Sequence, residues 1–566
     1  MAGSFDRPRV VDRRGLLWLL GAAAALSVTP GCARWRPEPG RCALTSADPV
    51  IDVHCHFFNA SDVPVRGFVE YVALGELRDE FLPRADVQTK GLFNGLIAFL
   101  VDILSRGAKD APTEAARLRS GTPLEPASVV QQRKTQILAD AIQEMDRRAR
   151  GIETFGRGVE GLDVEPDYPA LMEQLARDAD RPQAFSRSRA LSRVGAIGLA
   201  NGLQRQPSEM QRYIYFALLL LDDREAIARE YLRVFAPSGC VSLVTPSFLD
   251  MENWLGNSRA RSSIAEQIEV MDLLQVQIAR TTELHMHSFV GFDPWREAEG
   301  GGSLKLVKRA ILDCGFVGVK LYPPMGFQAF GNGEIKFPKG APRGMEMETA
   351  LRRLYAWCES NDVPIMAHAE NSLGSLCGYG HRASPSWWRE ALREFPKLRV
   401  NLAHFGSFDE LRTQPAPKRC SKDAFGKDAW EFIVGKTIAE DGREHLFADL
   451  GYLYELTSPQ FDDRTRSEIR GYLKQFQSRY DPDVRHLLYG TDWTMIAKEL
   501  DNNNYMSRLG AQLTAAGYTP EQQQNIYWRN AARYLGLGKT DKTRNRLRDY
   551  CLNRKIDADW LSAFDQ

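Results

Sequence analysis

From about residue 206 onward, apolar and polar positions follow one alternating scheme. Short, β-branched apolar runs give way to stretches of ten or more residues with apolar positions every three to four. "CVSLVTP" (240–246) is strand-like, and "SSIAEQIEVMDLLQVQIARTT" has helical spacing. "HSFVGFDP" ends a strand, and "SLKLVKRAILDCG" is a helix stopped by Gly315. The scheme continues through strands in "FVGVKLYPP", "VPIMAHAE", "LRVNLAHFG", "HLFADLGY" and "RHLLYGTDW". Helices lie between them; Ser384 is the expected cap of "SPSWWREALREFP". With "VIDVHCHFF" at residue 50 as the first, the strands number eight. Strands separated by helices predict right-handed βαβ units and a parallel sheet, and eight such units close into a TIM-like (βα)8 barrel.

About 180 residues of mostly helical pattern separate the first and second strands, too long for a crossover. The expected layout is an export signal and linker (1–45), the first barrel strand (46–56), a helical insertion or cap (57–229), the rest of the barrel (230–540) and a C-terminal tail (541–566). "GLFNGLIAFLVDIL" (91–104) is expected as a buried helix of the cap rather than a membrane-surface one, being short and lacking a basic face. The polar, Pro- and Gly-broken stretch 106–128 is expected as a mobile loop.

Composition adds little to this picture. Net charge is zero, so nothing calls for a nucleic-acid partner. The N-terminus differs. "RPRVVDRRGLLWLLGAAAALSVTPGCARW" pairs Arg13 and Arg14 with a fourteen-residue apolar stretch, too short to span a bilayer comfortably. It reads as a twin-arginine-like bacterial export signal, with Cys32 in a loose lipoprotein box, so the protein is expected to be exported, periplasmic or lipid-anchored. Asp12, Leu16 and Pro30 depart from those patterns. Membrane attachment is expected only through this segment. The nine cysteines include no CxxC pair, and Cys55, Cys240, Cys314 and Cys358 are expected as small core residues.

In a parallel barrel, chemistry gathers at the C-terminal strand ends. There stand His54 and His56 on strand one, Lys320 on strand four, His368 on five, His404 on six and Asp492 on eight. Alternation sends Asp52, His54 and His56 to one face, towards the barrel axis. Two imidazoles on one face can share a metal ion, and nitrogen with carboxylate oxygen suits zinc, manganese, iron or nickel. His285 and His287 precede the third strand, at the opposite end.

"DVHCHFF", "GVKLYPP", "IMAHAE", "NLAHFG", "LYGTDW" and "IYWRNAARYLGL", in this order, resemble the amidohydrolase superfamily and most closely its amidohydrolase-2 branch. The likeness spans 48–56 and 240–537 and leaves the insertion unexplained. It implies one divalent metal, zinc first, bound by His54, His56, His368 and Asp492. Asp492 would also act as the base, with His404 orienting or polarising the substrate. Lys320 has two readings: carboxylated, it would bridge to a second metal; uncarboxylated, it would bind an anionic substrate. His381 and Arg382, in a Gly-rich loop after strand five, are candidate substrate contacts. The implied reaction is hydrolysis of an amide, ester or lactone of a small molecule. Non-oxidative decarboxylation on the same residues is the alternative, and a non-catalytic exported binding protein the third reading.

Overall fold

The computed structural model describes residues 37, 39, 48–75, 87–149, 209–235, 241–256, 259–371, 374–376, 378–408, 411 and 429–565. The leader through residue 31 and Cys32, Cys42, Cys240, Cys377 and Cys420 lie outside the described residues. No described helix is long and apolar enough to cross a membrane.

Among the described residues, nine short strands form two parallel sheets. β1 (Val50–Cys55), β2 (Val241–Pro246) and β3 (His285–Met286) make one. β4 (Phe289–Gly291), β5 (Gly318–Leu321), β6 (Ile365–His368), β7 (Val400–Ala403), β8 (Leu446–Asp449) and β9 (Leu487–Leu488) make the other, in sequence order. β3 and β4 are the two halves of the predicted third strand, interrupted at His287 and Ser288. There the His287 imidazole turns to the Gly315 carbonyl, 2.9 Å away. Isolated backbone bridges link the two sheets, Ser247 just past β2 to Phe289 and Cys55 to Trp493. The chain is thus an α/β protein in which the eight predicted strands appear in order and all pair in parallel.

Both faces of these strands are covered, so they are apolar nearly throughout. Ile51, Val53, Leu243, Phe289, Phe447 and Leu488 share one core with Trp528, Tyr534 and Leu535. The C-terminal tail is part of it: Leu547, Leu561 and Phe564 join the same cluster. Trp560 stacks on His285, ring centroids 4.4 Å apart, and on His287 at 5.4 Å. These two histidines are therefore packing residues at the N-terminal strand ends. The expected Ser384 cap is present, and a second cap stands at Ser263. Ser263 and Glu266 form a reciprocal capping box for Ile264–Thr281, and the Ser384 hydroxyl accepts the Ser386 amide.

Among the described residues, 87–106, 126–149 and 209–218 group in one compact unit, and 57–75, 107–125 and 219–229 group with the strands. Within the first unit the helices Val87–Ser105 and Ala127–Ala149 pack together, and Leu96, Ile97, Phe99, Leu100 and Ile103 are buried. In the strand-bearing unit the expected mobile loop instead contains a helix, Ala111–Ser120. Asp110 caps it through the Thr113 amide, and Gly121 ends it at φ 66°. Its Glu114 is buried against Arg224, Nη1 to Oε1 2.6 Å, and Arg224 Nε also meets Asp62 at 3.0 Å. This ion cluster fixes a segment whose polarity alone suggested mobility.

Cys55, Cys314, Cys358 and Cys551 are buried free thiols, and the described residues contain no disulfide.

Candidate metal centre

β1 delivers His54 and His56 to the C-terminal end of the strands with their tautomers set. His54 Nδ1 lies 3.1 Å from the Asp449 carboxylate, and His56 Nδ1 lies 2.8 Å from the Ser247 carbonyl. Both partners only accept, so each Nδ1 carries the hydrogen and each Nε2 presents a lone pair. His404 repeats the arrangement: its Nδ1 faces the Gly451 carbonyl at 3.0 Å. The lone pairs of His56 and His54 point at one carboxylate oxygen, Asp492 Oδ1, at 3.1 and 3.4 Å. Acceptors aimed at acceptors repel unless a cation lies between them. A proton is disfavoured as that cation, because burial lowers the His54 pKa to about 4 despite the nearby Asp449 charge. A divalent metal fits.

His404 and Asp492 stand just past β7 and β9, each in the left-handed region at φ 73° and 57°. Such backbone costs about 1–3 kcal/mol per residue and needs external support. The His404 amide donates to Asp449 at 3.1 Å, and the Asp492 amide to the His54 carbonyl at 2.7 Å. These two bonds aim both side chains at β1. Ligand atoms of His54, His404 and Asp492 lie within 4.8 Å of one another, and so do those of His368, Glu370 and His404. These two groups share His404, which was expected beside the metal and not as a donor; Glu370 joins the second, and His56 belongs to neither. In that geometry His404 lies within donor reach, closer to His54 and Asp492 than a purely second-layer role requires.

The remaining electrostatics suit a cation. Burial pushes His368 well below the usual imidazole range, reinforced by His404 and Lys320. Burial alone would raise the Asp492 carboxyl; the His54 and His56 imidazoles outweigh it and bring it to about 2. Asp449 is likewise held well below the carboxylate range, with burial overcome by His54. Lys320, on β5, places Nζ 3.3 Å from His54 Nε2 and 3.1 Å from Met366 Sδ, and burial lowers its pKa to about 8. Asp52 faces inward beneath the histidines. It accepts from Tyr231 Oη (2.8 Å) and Thr491 Oγ1 (2.6 Å), and burial raises its pKa to about 7.

Above the cluster opens a small cavity of about 20 Å³. His54, His56, His368, Glu370, His404 and Asp492 line its floor, and Tyr322, Tyr452, Lys498, Leu249 and Met495 its walls. His381 and Arg382 are not part of this lining. The His381 imidazole bonds the Gly378 carbonyl, and the Arg382 guanidinium bonds the Gly326 carbonyl and stacks 3.6 Å over the Tyr379 ring. Arg382 thus ties its loop to the one that follows β5. Sequence reasoning missed Asp449 and Glu370, although both follow its own rules. Asp449 ends strand seven, and Glu370 stands two residues after His368, as His56 does after His54.

Residues 288–537 match the amidohydrolase family. The match covers less than half of the chain. It runs from just before β4 to beyond β9 and holds Lys320, His368, His404, Asp449 and Asp492, but not β1. The geometry joins the missing part, since His54 and His56 meet Asp492 across the sheet edge. No curated protein matches the chain. Among solved structures, 2,6-dihydroxybenzoate decarboxylase from Rhizobium is 14% identical, covering 57% of this chain and 91% of that one, with a TM-score of 0.34. A 4-oxalomesaconate hydratase from Rhodopseudomonas palustris is 14% identical, covering 62% and 87%, at 0.35. A probable 2-pyrone-4,6-dicarboxylic acid hydrolase from Acinetobacter baumannii is 13% identical, covering 55% and 88%, at 0.32. At such scores these likenesses carry no weight for the chemistry.

Proposed function

We propose that the protein is a metal-dependent hydrolase of small-molecule amides, esters or lactones. The observation that carries the proposal is the set of imidazole lone pairs turned on Asp492 Oδ1. His54, His56 and Asp492 would hold one divalent ion, with His368 as the fourth donor; three nitrogens and an oxygen favour zinc. When bound, the ion supplies a lowered pKa for a water molecule and polarisation of the substrate carbonyl. The Asp492 carboxylate, ionised at neutral pH, takes a proton from the attacking water as the new C–O bond forms. It returns that proton to the departing nitrogen or oxygen as the old bond breaks. His404, with its Nδ1–H on the Gly451 carbonyl, turns the Nε2 lone pair to the same space and orients the substrate by accepting a hydrogen bond from it. The Asp449 carboxylate keeps His54 in the required tautomer.

The test is metal content together with turnover. The purified full chain should hold about one equivalent of divalent metal, and replacing His54 and His56 by Ala should drop it far below one. Full retention in the double variant would remove the site. A panel of lactones, esters, amides and aromatic carboxylates, scored for hydrolysis and for CO₂ release, separates hydrolase from decarboxylase. CO₂ release alone would reassign the same residues to carboxy-lyase chemistry.

The same reading places the mature protein outside the cytoplasm, on the strength of Arg13, Arg14 and the short apolar stretch that follows. Lysine at both arginines should block twin-arginine export; unimpaired export would exclude that route.

A further inference from the structure

The helix Arg224–Phe235 lies outside the stretch that matches the amidohydrolase family, yet it reaches the junction on which the candidate metal donors stand. Asp52 makes that junction. Its Oδ1 accepts the amides of His54 and Thr491, both at 3.1 Å. Its Oδ2 accepts the Thr491 hydroxyl at 2.6 Å and the Tyr231 hydroxyl at 2.8 Å. One carboxylate therefore ties the backbone of a donor on β1 to the residue next to Asp492. The His54 carbonyl completes the tie by accepting the Thr491 and Asp492 amides at 3.1 and 2.7 Å. Asp52 is fully buried and has no ion pair with a described residue, so these four donors are what hold its carboxylate in place. Tyr231 is equally buried. Its ring packs against Phe57, centroids 5.4 Å apart, and Trp493 at 6.4 Å, two residues that directly follow His56 and Asp492. Phe235, one turn further on, reaches Trp493 at 5.5 Å. Two turns before Tyr231, Arg224 is held by Asp62 and Glu114. The helix is thus anchored by ions at one end and meets the junction at the other through two rings and a single hydroxyl.

We infer that Tyr231 is a positioning residue of the metal centre. Through Asp52 its phenol fixes the spacing of β1 from the chain just past β9, and with it the point on which His54, His56 and Asp492 converge. It touches neither metal nor substrate. Without the hydroxyl, Oδ2 keeps Thr491 alone, and the tie between residues 52 and 491 loosens while the ring still packs. The inference rests on the metal-centre reading and adds to it a determinant carried by this chain's own helical segment.

The test is cobalt(II) uptake by the metal-free full chain. It is read as affinity against a chelator and as the visible ligand-field bands, which report donor geometry. Tyr231→Phe removes one oxygen; it should weaken cobalt binding about 10-fold and alter the bands. Tyr550→Phe is the control. It removes the same hydroxyl from another buried carboxylate, Asp272, 2.8 Å away and beside His287 at the opposite strand ends. It should lower Tm to a similar extent and leave affinity and bands unchanged. If Tyr231→Phe loses the circular dichroism spectrum of the folded chain, Thr491→Val replaces it; that variant strips Oδ2 of its other side-chain donor and predicts the same two changes. Affinity and bands unchanged in whichever variant is measured would overturn the inference alone. So would equal changes in Tyr550→Phe, which would mark a general loss of stability. An unaltered chain that takes up no cobalt would remove the centre and the inference together. A cobalt geometry set by Tyr231, in a chain that hydrolyses no ester, lactone or amide, would leave Tyr231 standing and remove the hydrolase.

Discussion

Asp449 Oδ1 lies 3.1 Å from His54 Nδ1, and no solvent reaches either side chain. The same carboxylate accepts the amides of His404 (3.1 Å) and Gly451 (2.9 Å) and the side-chain amide of Asn401 (2.7 Å). One residue therefore sets the tautomer of one candidate donor and supports the strained backbone of another. The hydrogen bond is a positioning device: its geometry decides where two lone pairs point.

Asp449→Asn should expose that role. An amide can copy part of the hydrogen bonding but not the charge that favours Nδ1–H on His54. Loss of such an orienting partner typically weakens metal affinity by about 10- to 100-fold. Competition for zinc against a chelator of known affinity measures it, with an unchanged circular dichroism spectrum as the control. Affinity equal to that of the unaltered protein would reduce Asp449 to a packing residue.

Metal retention should survive mild acid. Protons compete with a metal for a ligand according to the metal-free pKa. Burial holds His54 at about 4, and the imidazoles hold Asp492 at about 2. Both stay deprotonated at pH 6, so neither gives up a metal there. As pH falls through about 4, His54 takes a proton and its lone pair is lost. Dialysis over a series from pH 7 to pH 3.5, followed by metal quantification, should show the loss centred in that lower range. Loss already centred near pH 6.5 would mean that the histidines behave as solvent-exposed ones.

Much of this was legible before any coordinates, because the signals were periodic. Alternation along β1 put His54 and His56 on one face, and strand ends predicted where Lys320, His368, His404 and Asp492 would meet. Asp449 and Glu370 were overlooked because attention went to histidines, although the same strand-end and i+2 rules reach both. Arg382 was a candidate because a charged residue in a Gly-rich loop near the mouth looks available. Only geometry shows its guanidinium on the Gly326 carbonyl. The helix Ala111–Ser120 was hidden for a related reason. Its stability comes from Arg224, more than a hundred residues away, and no local pattern carries that.

Arg224→Met tests this last point. Arg224 is 1% exposed and holds Glu114 and Asp62 together, both buried. Asn59 Nδ2 also bonds Glu114, at 2.9 Å, which ties the chain just past His56 to the same cluster. Removing the guanidinium leaves two buried carboxylates without their cation. Breaking such a cluster from one side costs about 3–5 kcal/mol. Thermal unfolding should show a large fall in Tm. Replacing Arg224, Glu114 and Asp62 together by apolar residues should recover much of it, since no charge is then stranded. A Tm unchanged in Arg224→Met would mean that the cluster is not what orders the segment.

One metal, not two, is expected to support activity, with Lys320 uncarboxylated. The Lys320 amine sits 3.3 Å from His54 Nε2, where it donates to the lone pair that His54 also turns on Asp492. Its second neighbour is the Met366 sulfur, a weak acceptor that needs no carboxylate. A protonated amine cannot ligate a metal; reaction with CO₂ would turn it into an anionic bridge. His404 belongs to both donor groups, so a second ion would draw it from orienting the substrate into ligation. Titrating zinc into metal-free protein, with and without bicarbonate, separates the two cases. A mononuclear centre saturates at one equivalent in both buffers. In it, His404→Ala keeps its metal but loses turnover, whereas His368→Ala loses metal. Saturation at two equivalents only with bicarbonate, with metal lost in His404→Ala, would overturn the prediction and make Lys320 the bridge.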